Sequence, residues 1–272
     1  MTSLNSDVRT LLDFLETQRT RQAPHFPTVK FDKVLSFMAT TSHPGTHAAV
    51  AVLPVKRLEP GASASEMRVH LRGRLPRPLA RGECISVHVD KLEQYQGYQI
   101  KSGPLAGAGS EAHVYQADGD DLVVEGRQIY TVHHSPYTMK FFEQIPYEEV
   151  EQTVGSVKFA FVGLGETANI SPRFVFHHEI KLDRLQLFHG DGLALKTYMN
   201  LKVNRQETRI IVDLDTFEGW AMQGTVEEFA PHQHPAAYDR ICQGFAAGNW
   251  GRPSRVFRFV ADRFEPIAPF RG

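Results

Sequence analysis

The segment Glu66-Met-Arg-Val-His-Leu-Arg-Gly-Arg-Leu-Pro-Arg-Pro78 concentrates side chains that can bind anions or a metal. With the two-residue period of a strand, Met67, Val69 and Leu71 point one way. Arg68, His70 and Arg72 point the other, and Arg74 continues the row. One face is apolar and the other cationic. Such a face suits a ligand with several anionic groups and an atom that accepts an imidazole nitrogen. A haem offers both, iron for His70 and propionates for the arginines. The competing reading is a solvated outer face.

A second set lies downstream. Arg173, Lys196 and Thr197 supply a guanidinium fork, a point charge and a short hydroxyl, the donors a phosphate needs. The run Gly163-x-Gly165-x-x-Ala168 imitates a dinucleotide-binding fingerprint, but that motif must open a helix. Ile170, Ser171 and Pro172 indicate an extended chain instead. His133-His134 and His177-His178 are adjacent pairs, which on a strand face opposite ways. His232 and His234 fall in a Pro-rich stretch and read as exposed loop histidines. Cys84 and Cys242 form no C-x-x-C pair and read as small buried hydrophobes. No H-E-x-x-H, G-x-S-x-G or P-loop is present, and no residue is identified as catalytic.

The elements that must position these residues are mostly strands. Short β-like runs separated by Pro, Gly and Ser are expected at 36–41, 47–53, 66–72, 84–89 and 98–101. They recur at 157–164, 173–177, 184–189, 208–214, 220–229 and 255–264. Helices are expected near 8–15 and over 235–247. Tyr238, Ile241, Cys242 and Phe245 form the apolar stripe of the second, and Gly248 stands just past its end. The region 137–154 is rich in helix formers and aromatics. Thirty basic and 31 acidic residues give a net charge of −1, so nothing points to nucleic acid or an anionic membrane surface. No leader pattern is read at the N-terminus and no apolar run of spanning length is present, so a soluble cytoplasmic protein is expected.

The two strand regions look alike. Ile85-Ser-Val-His-Val-Asp90 precedes Tyr95-Gln-Gly97-Tyr98, and Ile210-Ile-Val-Asp213 precedes Phe217-Glu-Gly219-Trp220. The paired glycines lie 122 positions apart, a distance that suits one small barrel per copy. The expected fold is mainly β: two tandem split β-barrels with a few flanking helices. The expected segments are an N-terminal helix and linker (1–27), a divergent first repeat (28–135), a helical linker (136–155) and a second repeat (156–272).

The ordered set Phe161 to Phe176, Leu185 to Gly192, Lys196-Thr-Tyr-Met-Asn-Leu201, Arg209 to Asp213 and Phe217 to Glu227 resembles the FMN-binding split-barrel family, which includes pyridoxamine-phosphate oxidase. The resemblance implies a flavin whose phosphate is held by Arg173, Lys196 and Thr197, with Asn169 and Ser171 reaching its ring or ribityl chain. It weakens in the first half, where the Arg-His-Arg strand replaces the Lys-Thr-Tyr segment. A duplicated barrel with one such half is similar to flavocytochromes of the iron-only nitrogenase system, which carry FAD and haem b. That likeness implies His70 as an iron ligand, with Arg68, Arg72, Arg74 and Arg77 serving the larger FAD or the propionates. Trp250 is placed to stack on a flavin or to pack, and packing is the stronger reading.

The expected activity is that of a flavin-dependent oxidoreductase, which passes electrons from a reduced ferredoxin or flavodoxin through FMN or FAD, and through haem if present, to oxygen. A homodimer is expected. The alternatives are a non-catalytic flavin or haem sensor and a flavin-only reductase.

Overall fold

The computed structural model describes residues 34–61, 66–78, 83–91, 96–102, 114–116, 121–126, 128–133, 159–166, 168–173, 175–182, 184–192, 195–213, 219–247 and 250–267. The expected N-terminal helix and the helical linker lie outside them. Within them the fold is mainly β, as the alternating patterns require: fifteen strands in two sheets, and two helices. It is consistent with the split-barrel architecture.

The strands are β1 (Val34–Thr40), β2 (Ala49–Pro60), β3 (Met67–Arg72), β4 (Cys84–Lys91), β5 (Gln96–Ser102), β6 (Val114–Gln116), β7 (Asp121–Gly126), β8 (Gln128–His133), β9 (Phe159–Gly165), β10 (Asn169–Arg173), β11 (His177–Lys181), β12 (Arg184–Asp191), β13 (Gln206–Asp213), β14 (Gly219–Glu228) and β15 (Arg255–Ile267). Helix α1 (Leu195–Val203) precedes β13, and α2 (Pro235–Ala247) precedes β15. The expected strand over 173–177 is instead a break between β10 and β11.

One sheet has the order β6-β7-β3-β2-β9-β4-β5-β8 and the other β10-β1-β13-β14-β15-β12-β11. The chain divides into two compact units. One comprises 39–171 with 196–204 and carries the eight-stranded sheet. The other comprises 1–38, 172–195 and 205–272 and carries the seven-stranded sheet apart from residues 169–171 of β10 and 39–40 of β1. The units are therefore not the consecutive segments expected from the repeat. Strand β9, placed by sequence at the head of the second repeat, runs between β2 and β4. Strand β1, placed at the head of the first, runs between β10 and β13.

The 122-residue offset itself is visible as pairing register. In the β4–β5 hairpin Asp90 pairs with Gly97, Val89 with Tyr98, Val87 with Ile100 and Ile85 with Ser102. In β13–β14 the partners are Val212 with Gly219, Ile211 with Trp220, Arg209 with Met222 and Glu207 with Gly224. Each pair is the other shifted by 122. Because a one-residue slip would turn every side chain to the opposite face, the shared register fixes which side chains of the two hairpins correspond.

In the eight-stranded unit the inward row of β3 (Met67, Val69, Leu71) joins Ile85, Val87, Val89, Tyr98, Ile100 and Val162 in one apolar cluster. Outward residues on β3 alternate with these, as the period-two reading requires. In the seven-stranded unit α2 buries Ala237, Ile241 and Phe245 at helical spacing against Phe188, Phe229 and Val256. Pro235 opens this helix, where a missing N–H costs nothing, and the His234 carbonyl accepts the Tyr238 N–H at 2.9 Å.

Helix α2 lies so close to β12 that a Cβ built on Gly190 would stand 2.6 Å from the Phe245 ring and 2.7 Å from Ile241 Cγ2. Gly190→Ala should therefore destabilise the protein by about 1–3 kcal/mol, the usual cost of overpacking a filled core, as read by chemical denaturation. A variant as stable as the wild type would contradict this packing.

Candidate functional site

Helix α1 is inverted relative to an ordinary amphipathic helix. Its buried residues include Thr197, Asn200 and Leu201, with Asn204 just past its end, while Met199 and Val203 are exposed. Spacings of three and four put Thr197, Asn200 and Asn204 on one face. Asn200 Nδ2 donates to Thr40 Oγ1 at 3.0 Å. Asn204 Nδ2 donates to the Thr46 and Thr41 carbonyls at 2.7 and 3.3 Å, and its Oδ1 accepts the Gly45 N–H at 3.3 Å. Side-chain amides thus tie the helix to the segment 40–46.

At its first turn α1 meets β10. Asn169 Nδ2 donates to Thr197 Oγ1 at 2.8 Å, and both residues are buried. The backbone on either side of Asn169 is fastened from β5: Lys101 Nζ donates to the Ala168 carbonyl at 2.8 Å and Gln99 Nε2 to the Ile170 carbonyl at 2.9 Å. Gln99 and Lys101 belong to a buried polar row with Ser86 and His88, on the face of β4–β5 opposite the apolar cluster. Acceptor and hydroxyl capacity remains here. Asn169 Oδ1, Ser171 Oγ, Gln99 Oε1 and Ser86 Oγ are enclosed with no hydrogen-bond partner among the described residues. Each such atom costs about 1–3 kcal/mol unless an occupant satisfies it.

Of the expected phosphate and flavin residues, the structure thus joins Asn169 to Thr197 directly and sets Ser171 on the same strand. Lys196 is in the first turn of α1, but its side chain lies outside the described residues. Gln99 and Lys101 escaped the sequence reading. Their signal was two polar residues at strand spacing within the otherwise apolar Tyr98-Gln-Ile-Lys101.

Arg173 ends β10 and enters a different environment, in the seven-stranded unit. Its Nε donates to Met38 Sδ at 3.2 Å, and Asp191, Glu207 and Arg209 act on it electrostatically, although desolvation is the larger influence and pushes its pKa down. Arg209 and Glu207 are fully buried, and Arg209 Nη2 and Nε reach Glu207 Oε1 at 2.6 and 2.8 Å. Arg209 Nη2 also donates to His189 Nδ1 at 3.2 Å. The imidazole accepts there, so its proton sits on Nε2 and the ring is neutral. Burial first, then the charges of Arg209 and Arg173, hold its pKa well below 6.5. His189 stacks on Phe257, with ring centroids 5.2 Å apart, and the Arg209 guanidinium lies 4.6 Å from the Phe259 ring centre. Burial pushes the Glu207 carboxyl up, against the pull of Arg209. Asp191 is buried 3.9 Å from Arg255. Apart from Arg173, none of this cluster was identified from sequence. The visible signal was Glu207 and Arg209 two apart in a strand that continues Ile210-Ile211-Val212.

The Arg-His-Arg face is laced with carboxylates from neighbouring segments. His70 Nε2 donates to Glu59 Oε2 at 2.9 Å, a bond that lowers the Glu59 pKa, and Arg57 also reaches Glu59, at 2.8 Å. Arg68 pairs with Glu125 at 3.4 Å. Arg77 is bidentate to Glu83, at 2.5 Å for each bond. Arg72 and Arg74 are exposed. Glu59 thus engages one of the two ring nitrogens of His70, Nε2. Among the described residues no group of three or more His, Cys, Asp or Glu is placed to hold a metal ion.

Other expectations resolve simply. Cys84 is buried and donates to the Gly165 carbonyl at 3.2 Å. Trp250 packs edge-on against Phe245, centroids 5.8 Å apart. His234 is not an exposed loop residue: it packs on Phe188 and Phe229, with centroids 5.1 and 5.2 Å away. Among the described residues no helix is long and apolar enough to cross a membrane.

No family model and no curated protein matches this chain. Among solved structures it is similar to HupZ of Group A Streptococcus, at 19% identity and a TM-score of 0.30, over 39% of this chain and 80% of that one. It is also similar to an FMN-binding protein from Syntrophomonas wolfei subsp. wolfei, at 18% identity and a TM-score of 0.31, over 38% of this chain and 71% of that one.

The depressed pKa of His189 makes a signed prediction. Below its ordinary value of 6.5 the unfolded chain takes up a proton that the buried ring refuses, so stability is lost as pH falls from 7 toward 5. The slope reaches about 1.4 kcal/mol per pH unit while only the unfolded chain carries the proton. Denaturation curves should show this component in the wild type and lack it in His189→Gln. Identical pH profiles would contradict the neutral buried imidazole.

Proposed function

We propose that the eight-stranded unit binds a phosphorylated flavin, FMN or the FMN half of FAD, at the junction of β10 and α1, and that the protein is a flavin-dependent oxidoreductase. The observation that carries this reading is Asn169: a buried carboxamide, anchored through Nδ2 to Thr197, whose Oδ1 lacks a donor among the described residues. A flavin has what is missing, a ring N–H and ribityl hydroxyls to donate to Asn169 Oδ1 and to engage Ser171 Oγ. Lys196 and Thr197, in the opening turn of a helix, are the residue types that hold a phosphate, and the positive end of the helix dipole favours it there. The sequence resemblance implies these residues together with Arg173.

When bound, the flavin supplies hydride and single-electron transfer, so no protein nucleophile is required. The chain's own contribution is positional. Lys101 and Gln99 hold the backbone on both sides of Asn169, Thr197 fixes the orientation of its carboxamide, and the burial of all four excludes water from the contact. Asn200 and Asn204 hold α1 against the loop at residues 41–46, which keeps Lys196 and Thr197 in place.

The test is titration of the cofactor-free protein with FMN and with riboflavin, followed by flavin fluorescence. Asn169→Ala and Thr197→Val should each weaken FMN binding about tenfold, the equivalent of one buried hydrogen bond. Lys196→Gln should weaken FMN but leave riboflavin unchanged, since only the phosphate meets that charge. Unaltered FMN affinity in all three variants would refute the site.

A further inference from the structure

Pairing register lines up one row of side chains across the seven-stranded sheet. Glu227 on β14 pairs with Arg258 on β15, Arg258 with Phe188 on β12, and Phe188 with His177 on β11. Register partners point to the same face of a sheet, so the row crosses one face. Gln186 and Glu179, themselves partners, stand two residues away on that face.

His234 is laid across this row. Its ring centroid lies 5.1 Å from that of Phe188 and 5.2 Å from that of Phe229. Its Nε2 lies 3.3 Å from Arg258 Nη1. That contact has a single polarity. A guanidinium only donates, so Nε2 is the bare, accepting nitrogen and the proton of the neutral ring is on Nδ1. A proton added at Nε2 abolishes the bond and sets two cations against each other. Arg258 does not depend on the imidazole, because Nη2 also donates to Glu227 and Nη1 to Gln186 Oε1, at 3.5 Å. The cost of protonation therefore falls on His234.

His234 also starts α2. It precedes Pro235, and its carbonyl accepts the Tyr238 N–H at 2.9 Å. A charge on its ring there meets the positive end of the helix dipole. The rest of the helix has its own anchors, since Ile241 and Phe245 are buried in the apolar cluster with Phe188 and Val256. Residues 231–233, just before it, are exposed. The turn is tied by the Gln233 N–H to the Ala230 carbonyl at 2.9 Å and the Ala230 N–H to Gln233 Oε1 at 2.6 Å.

We infer that His234 is a proton-operated latch on the first turn of α2: the neutral ring holds the turn closed against Phe188, Phe229 and Arg258, and the protonated ring leaves and lets it open. The charged groups acting on the ring are Arg258 from β15, Lys181 and Glu179 from β11, and Glu227 from β14. Burial, then Arg258, lower its pKa, with Lys181 acting likewise and Glu179 and Glu227 opposing them. His177, the other imidazole of the row, has its Nε2 3.1 Å from Glu179. The released ring takes up a proton near the ordinary value of 6.5 and the latched ring only at lower pH, so the closed turn is favoured above 6.5 and loses stability below it. The latch uses no residue of the proposed flavin site.

The test is hydrogen exchange of the Tyr238 amide in the full-length protein at pH 7.5 and pH 5, expressed as protection relative to the intrinsic rate at each pH. Protection in the wild type should fall about tenfold on acidification. The fall should exceed that of the β14 amides, which report opening of the whole unit and so carry the His189 dependence. His234→Gln offers Arg258 an acceptor that takes no proton, and its Tyr238 protection should follow β14 at both pH values. His177→Gln should behave as the wild type. The inference is overturned if Tyr238 in the wild type follows β14, a comparison that needs no variant. It is equally overturned if His234→Gln keeps the extra fall, or if His177→Gln abolishes it.

Discussion

The bond from Asn169 to Thr197 is the contact on which the architecture of the proposed flavin site depends. It joins a strand to a helix whose described buried residues are Thr197 and Asn200 beside Leu201. An amphipathic helix normally docks by removing hydrocarbon from water. Helix α1 docks by offering amide and hydroxyl groups to Asn169, Thr40, Thr41 and Thr46, and leaves Met199 and Val203 exposed. Polar docking is directional. A hydrophobic seam tolerates sliding, whereas a row of hydrogen bonds with enclosed partners holds one register, because leaving any of them unmade costs the full desolvation of a buried group. That precision suits the phosphate-holding role proposed for the start of this helix.

The two repeats show how one framework diverges. Hairpins β4–β5 and β13–β14 share their register residue for residue, so their backbones impose the same alternation of faces. What differs is the filling. One interior is aliphatic, with Ile85 and Val87 at its centre. The other places Glu207 and Arg209 at those positions and collects His189, Asp191 and Arg173 around them. The outward face of β4–β5 reverses this pattern, with Ser86, His88, Gln99 and Lys101 buried in a row. Backbone pairing is indifferent to these exchanges, so one register serves both fillings.

This explains what could be read from sequence. Strands with clean alternation, such as Met67 to Leu71, and the helix over 235–247 were legible because apolar period reports burial directly. The 122-residue repeat was legible because an aromatic-x-Gly-aromatic corner survives divergence, and it located the register that the pairing shows. Helix α1 was not legible as a helix, since Thr197 and Asn200 are buried while Met199 and Val203 are exposed, which blurs the apolar period sought. The exchange of β1 and β9 between the sheets leaves no mark on either strand's own pattern, because both remain buried strands wherever they pair. The ion pairs of the Arg68–His70–Arg77 region were missed because Glu59, Glu83 and Glu125 come from other segments, and only the fold brings them alongside. Asn169 and Thr197 were named through the family resemblance, and the structure supplies the bond that unites them.

The account is tested most directly by the absorption spectrum of the purified protein, taken as isolated and again after incubation with FMN or FAD and removal of excess. It predicts the two broad bands of a bound flavin, bleached on reduction. A preparation that stays colourless after incubation would contradict it.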